Sequence, residues 1–206
     1  MYLSRTPRLL QTLLPSYTWH IPTTEKVIYL TFDDGPIPEA TPWVLDTLST
    51  YGAKATFFCV GDNVRKYPAI FQQILAEGHA VGNHTFNHLK GWSTDTSDYL
   101  DNVERCAEMV SSPLFRPPYG KLKPSQTRQL KSRYRIVMWD VLSGDFDPTI
   151  SPEECLQNVL ENIHPGSIVL FHDSVKAETR MRFALPKVLE KMTAEGWRFE
   201  KLDTSE

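Results

Sequence analysis

Val27-Ile28-Tyr29-Leu30-Thr31-Phe32 runs without a break into Asp33-Asp34-Gly35-Pro36. β-Branched and aromatic residues halt at two acids, a glycine and a proline, which reads as a strand entering a turn. The run is apolar along its length instead of alternating, so both faces of the strand are expected to be covered. Similar runs at 55–60, 79–83, 114–116, 134–141, 167–171 and 197–202 are expected strands. Helical patterns over 38–50, 63–77, 97–110, 125–132, from 151 onward and over 183–195 lie between them. Ser151-Pro152 opens one helix with a cap and a first-turn proline, and Gly78 and Gly196 close two others. This alternation implies a parallel α/β architecture, open or closed into a barrel. In either form, ligands bind beyond the carboxyl ends of the strands.

The 206 residues contain no repeat, low-complexity tract or linker, so one domain over 1–206 is expected. Its motif core covers about 26–202, behind an N-terminal helical segment, 1–20. A net charge of −3 and the lack of a basic run argue against nucleic acid as a partner. No stretch reaches the roughly 18 apolar residues that span a bilayer. Residues 1–15 hold Arg5, Arg8 and a short leucine-rich run, with neither a long apolar core nor a small-residue cleavage site. No signal peptide is expected there, which makes the cytoplasm the default location. An amphipathic first helix capping the domain is expected instead. Cys59, Cys106 and Cys155 lack paired spacing and are expected to be reduced, buried thiols.

The expected strand ends carry the chemistry. The first ends in Asp33 and Asp34, the third in His84 and His88, and the fourth in Arg116 and Tyr119. Trp139 and Asp140 close the fifth, and His172 and Asp173 the sixth. Structural ionisable residues would be spread over both rims and the helix exteriors, whereas these converge on one. His84 and His88, four apart, share a face on a helical turn and can hold one metal. With a carboxylate they make the three-ligand set that catalytic zinc prefers. Adjacent acids at a strand end point in different directions, so one can bind metal while the other takes a proton. Each feature has a plainer reading alone: Asp-Asp starts turns, and His-x-x-x-His arises by chance.

Together the motifs resemble those of the polysaccharide deacetylases, carbohydrate esterases with a NodB-homology domain. Thr31-Phe32-Asp33-Asp34-Gly35-Pro36 is similar to the first motif, and His84-Thr85-Phe86-Asn87-His88 to the second. Arg116-Pro117-Pro118-Tyr119-Gly120 resembles the third, and Leu170-Phe171-His172-Asp173 the fifth, in family order. The resemblance implies a distorted (β/α)7 TIM-like barrel and metal-dependent removal of N- or O-acetyl groups. It implies Asp34, His84 and His88 as metal ligands, Asp33 as general base held ionised by Arg116, and His172 as general acid. It further implies the Tyr119 backbone N–H as an oxyanion donor and Leu170, with Trp139 beside it, as the acetyl pocket. The fourth motif departs from the family's Asp-x-x-Asp-Trp: Leu142 stands at the first Asp position and Phe146 at the Trp position. A leucine cannot hydrogen-bond an imidazole, so Asp140, two residues earlier on the same strand face, is the expected support for His172. Asp145, at the second Asp position, is the other candidate.

The expected protein is therefore a monomeric carbohydrate deacetylase with one divalent metal and an acetylated glycan substrate. Zinc is the first choice, and the same ligands accept cobalt, nickel and manganese. Chitin oligomers, peptidoglycan, acetylxylan and a lipid-linked saccharide all remain open as substrates. Trp92, in a Gly-Ser-Thr-rich loop, is a candidate for stacking on a sugar ring, and Phe57, Phe58, Phe71 and Trp197 are expected core. The rival reading is a catalytically silent metal- or glycan-binding domain, against which stands the presence of both proton-transfer groups. A phosphoesterase would need further carboxylates for a two-metal clamp.

Overall fold

A computed structural model describes residues 3–204. β1 (Val27–Asp33), β2 (Ala55–Cys59), β3 (Ala80–Asn83) and β4 (Leu114–Phe115) are joined by β5 (Arg135–Ile136), β6 (Val141–Leu142) and β7 (Ile168–His172). The order is β5-β4-β3-β2-β1-β7-β6, every pair is parallel, and β8 (Arg198–Phe199) joins the first residues of β1. Parallel strands need long crossovers. Helices α2 (Thr41–Thr50), α3 (Gly61–Lys66), α4 (Pro68–Ala76), α5 (Thr96–Ala107), α6 (Pro124–Leu130), α7 (Pro152–Leu160) and α8 (Glu178–Ala194) supply them. The central strands are buried on both faces, with Phe32 stacked on Phe57 at 5.1 Å and near Phe171 at 6.1 Å. This is the expected (β/α)7 barrel, single-domain and distorted.

The distortion has a definite place. The expected fifth strand, 134–141, is two short strands at opposite edges of the sheet, joined only by residues 137–140. So short a link requires the sheet to curl until its edges approach. The N-terminal residues fill the seam: Arg5 bridges Val141, Thr18 bridges Val137 and His20 bridges Ser167. The segment expected to be helical, 1–20, contains one helix, α1 (Arg8–Leu13), and residues 1 and 2 lie outside the described residues. None of the α1 residues is buried, so α1 is not an amphipathic cap. Strand-like bridges and the buried Trp19 anchor the segment instead.

Local sequence explains other boundaries. The helix expected over 63–77 breaks at Tyr67 (φ −127°, ψ 55°), because Pro68 disfavours helical geometry in the residue before it. Ser151 and Glu154 form a reciprocal cap on α7, with backbone-to-side-chain bonds of 3.1 and 2.8 Å. The three cysteines are free and buried. Among the described residues no helix is long and apolar enough to cross a membrane.

Gly82 in β3 marks a tight point in the core. A Cβ there would lie 2.5 Å from the Phe58 ring, one strand away. Gly82→Ala is expected to lower unfolding free energy in urea by about 1–3 kcal/mol, as overpacking does. An unchanged midpoint would show that the ring has room to move.

Candidate active site

The carboxyl ends of the strands open onto a cleft of about 470 Å³, lined by Asp33, Asp34, His84, His88, Tyr119, Trp139, Leu142, Phe146, Leu170 and His172 among others. Asp33 ends β1 directly beside His172 at the end of β7. Its Oδ1 accepts a 2.8 Å bond from Arg116 Nη1, and Arg116 is fully buried behind the cleft. Asp34 follows with φ 86°, a left-handed conformation rare outside glycine that carries its carboxylate away from that of Asp33.

Asp34, His84 and His88 each present one ligand atom within 4.8 Å of the others, a group that could hold a divalent metal. Asp34 Oδ1 lies 3.1 Å from His88 Nε2 and 3.8 Å from His84 Nε2. That oxygen is buried and accepts no hydrogen bond, an orphaned acceptor of the kind a cation satisfies. Burial pushes the Asp34 carboxyl up, but the neighbouring imidazoles of His88, His172 and His84 outweigh it and hold the group well below the ordinary range. Burial pushes His84 down to about 4, so its ring is neutral at pH 7. Its Nδ1 lies 2.8 Å from the Arg116 carbonyl, which can only accept; Nδ1 therefore carries the proton and Nε2 offers a lone pair to the cleft. The donor set fits a divalent metal.

The two histidines are not brought together by a helical turn. They sit on an irregular loop in which Thr85 (φ 63°) and His88 (φ 59°) are left-handed. Asn83 Oδ1 accepts from Thr85 N at 2.9 Å, and Asn102 Oδ1 on α5 accepts from Phe86 N at 2.8 Å. Such backbone outliers persist only where surroundings hold them. Sequence reasoning missed both asparagines, and it assigned no role to Asp173. The buried Asp173 accepts from Gly35 N at 3.0 Å and from the Thr41 hydroxyl at 2.6 Å, clamping the Asp34-Gly35 turn. A Cβ on Gly35 would lie 1.9 Å from Asp173 Oδ2, so the glycine of the Asp-Asp-Gly motif was the available signal.

His172 corrects one expectation. Its Nδ1 is 2.8 Å from Asp145 Oδ1, and its backbone N–H donates to Asp145 Oδ2 at 2.7 Å. Asp140 is elsewhere: Oδ2 lies 2.6 Å from His164 Nε2, and Oδ1 accepts from Ile168 N at 2.8 Å. Ile168 begins β7 and His172 ends it, about 13 Å apart at strand rise. Asp140 shares a face with Leu142 but precedes β6, so it stands at the opposite rim. Burial lowers the His172 pKa, but the Asp145 charge and hydrogen bond outweigh it and lift the ring to about 9. Phe146 packs edge-on against this ring at 5.3 Å.

Tyr119 has φ 60° and is exposed, beside His88 at 4.8 Å between rings. Leu170 is buried at the cleft floor, and Trp139 lines its wall. Trp92 is exposed and lines a neighbouring groove with Tyr17 and Leu122.

The profile of the family described as polysaccharide deacetylase matches residues 20–139. A peptidoglycan-N-acetylglucosamine deacetylase of Bacillus cereus is 39% identical over 192 residues, covering 88% of this chain and 89% of the relative. The chain belongs to the polysaccharide deacetylase family. As a member it is a carbohydrate deacetylase, the enzyme class expected from its motifs. A chitooligosaccharide deacetylase of Azorhizobium caulinodans is 37% identical over 162 residues, covering 74% of this chain and 76% of its own. A crystal structure of a peptidoglycan N-acetylglucosamine deacetylase, bound to an N-hydroxybenzamide compound, superposes with TM-score 0.87 and 32% identity. The match covers 96% of this chain and 95% of that one.

The two carboxylates make opposite predictions for His172. Asp145→Asn removes the largest raising influence and leaves burial opposed only by the charges of Asp34 and Asp33, so the imidazole pKa should fall from about 9. Asp140→Asn should leave it in place. Imidazole NMR titration of both variants in the same metal state checks this; a shift in Asp140→Asn alone would reverse the assignment.

Proposed function

We propose that this deacetylase hydrolyses the acetamide of N-acetylated amino sugars in a glycan chain, in a metal-dependent reaction, with peptidoglycan as its preferred substrate. One observation carries the reading: two proton-transfer groups, Asp33 held by Arg116 and His172 held by Asp145, flank a three-ligand metal cluster in a single cleft. A divalent ion held by Asp34, His84 and His88, zinc by ligand type, would supply Lewis acidity toward the acetyl carbonyl and toward water. Asp33, oriented by Arg116, takes the proton of the attacking water as its oxygen bonds to the acetyl carbon. The Tyr119 backbone N–H stabilises the oxygen on which charge develops. The carbon–nitrogen bond then breaks, and His172, protonated at neutral pH, delivers its proton to the departing amine. The products are acetate and a free amino sugar. Leu170, Leu142 and Trp139 form an apolar recess fit for a methyl group.

Charge favours an anionic glycan. Lys121 and Lys176 line the cleft, and among the described residues Asp33 and Asp34 are the only acids that line it. Lys90 Nζ lies 6.0 Å from the Tyr119 ring at the cleft mouth. Peptidoglycan bears lactyl and peptide carboxylates that these ammonium groups attract, whereas chitin oligomers are neutral. The named activity of the Bacillus cereus relative agrees. A silent binding domain would need neither the Asp33–Arg116 pair nor the His172–Asp145 pair.

Acetate release from peptidoglycan strands and from chitin oligomers tests the proposal. Metal-stripped protein should be inactive and recover with zinc, and peptidoglycan should be the better substrate. Asp33→Asn should retain one metal per chain yet lose about 10²- to 10⁴-fold in kcat. Near-normal turnover in that variant, or in stripped protein, would refute the mechanism.

A further inference from the structure

We infer that a second cleft, at the foot of the barrel and walled by Arg5, Arg8 and Arg135, binds a phosphate monoester or inorganic phosphate. The cleft measures about 600 Å³, within the range of small-molecule sites. Thr18 and His20 on the N-terminal segment, Arg135 at the start of β5 and His164 ahead of β7 place it at the amino ends of the strands. It is thus on the face opposite the catalytic cleft, and the inference does not depend on the deacetylase reading.

Its charge is unusual for this chain. Three arginines and two histidines line it, and no aspartate or glutamate does. Four surface arginines elsewhere have acidic partners: Arg65 with Asp62, Arg133 with Glu104, Arg182 with Glu178 and Arg198 with Glu25. Among the described residues, Arg5, Arg8 and Arg135 form no ion pair, although the chain holds 25 acids against 22 lysines and arginines. Arg135 Nε donates only to the neutral Thr18 hydroxyl, at 3.1 Å. In the wall behind, Asp140 is buried and already engaged by His164 at 2.6 Å and by Ile168 N at 2.8 Å, and Glu25, in the adjoining groove that Arg8 also lines, pairs with Arg198. The Asp140 pairing raises the His164 pKa.

The cleft is also preformed. Ser4 O accepts from Leu142 N at 2.8 Å and Thr6 N donates to Asp140 O at 2.9 Å, which fix the backbone on either side of Arg5. Planar guanidinium groups match phosphate oxygens bidentately, and three unneutralised cations suit a dianion better than a monoanion.

Isothermal titration of the purified protein with inorganic phosphate, in chloride buffer of matched ionic strength, tests the site. One saturable event is expected, weakened at least tenfold in Arg8→Gln and abolished in the Arg5→Gln, Arg8→Gln double variant. Both side chains are exposed, so these variants should fold and release acetate as the parent does. Asp34→Asn, which disables the catalytic metal cluster, should bind phosphate unchanged. Methyl phosphate should bind like phosphate, and dimethyl phosphate at least tenfold more weakly. Absence of saturable heat would overturn the inference. So would binding that survives in the double variant but vanishes in Asp34→Asn, which would place the anion on the catalytic centre. Equal binding of dimethyl phosphate would overturn the monoester assignment.

Discussion

A single buried cation organises this molecule. Arg116 is fully buried, and its guanidinium donates to Asp33 Oδ1, Thr31 Oγ1, the Met138 carbonyl and the Val137 carbonyl at 2.8–3.2 Å. Its plane lies against the Phe58 ring, 4.1 Å from the centroid. A charge removed from water costs several kcal/mol unless every donor finds a partner, and truncating one member of a buried pair typically costs about 3–5 kcal/mol. The partners come from β1 and from the segment 137–140 that links the two edges of the sheet. The interaction that closes the barrel therefore also aims Asp33.

This arrangement separates two carboxylates that are neighbours in sequence. Asp33 stays in the strand and faces the arginine, while the left-handed backbone at Asp34 sends the next carboxylate toward two imidazoles. Asp173 and Gly35 secure that turn, and Asn83 and Asn102 secure the histidine loop. On the far side Asp145 spends both oxygens on His172, one on the ring and one on the backbone. The ring is thus charged and oriented by a single side chain. Function and strain coincide at these positions, as expected where geometry is imposed by surroundings.

Much of this was legible in the residues. The apolar run into Asp-Asp-Gly-Pro marked the central strand and its catalytic end, because burial on both faces and a glycine turn leave direct traces in composition. What stayed hidden depends on contacts far apart in the chain. The run 134–141 looks like one strand, yet it belongs to two sheet edges, and only tertiary closure divides it. That division puts Asp140 at the foot of the barrel and lets Asp145 reach His172. The spacing of His84 and His88 suggested a helical turn, but side chains of Asn83 and Asn102 impose a loop instead. The arginine cleft was equally invisible, since Arg5, Arg8 and Arg135 meet only when the N-terminal segment seals the seam.

The central claim is that Arg116 acts through Asp33 and not through the metal cluster. Arg116→Lys tests it directly, because lysine keeps the charge but lacks the planar fork that serves four acceptors. Metal content and kcat for acetate release should be measured on the same preparation. The account predicts one metal per chain and a kcat reduced by about 10²-fold or more, the scale of a mispositioned base. Unchanged kcat, or loss of metal in step with activity, would contradict it.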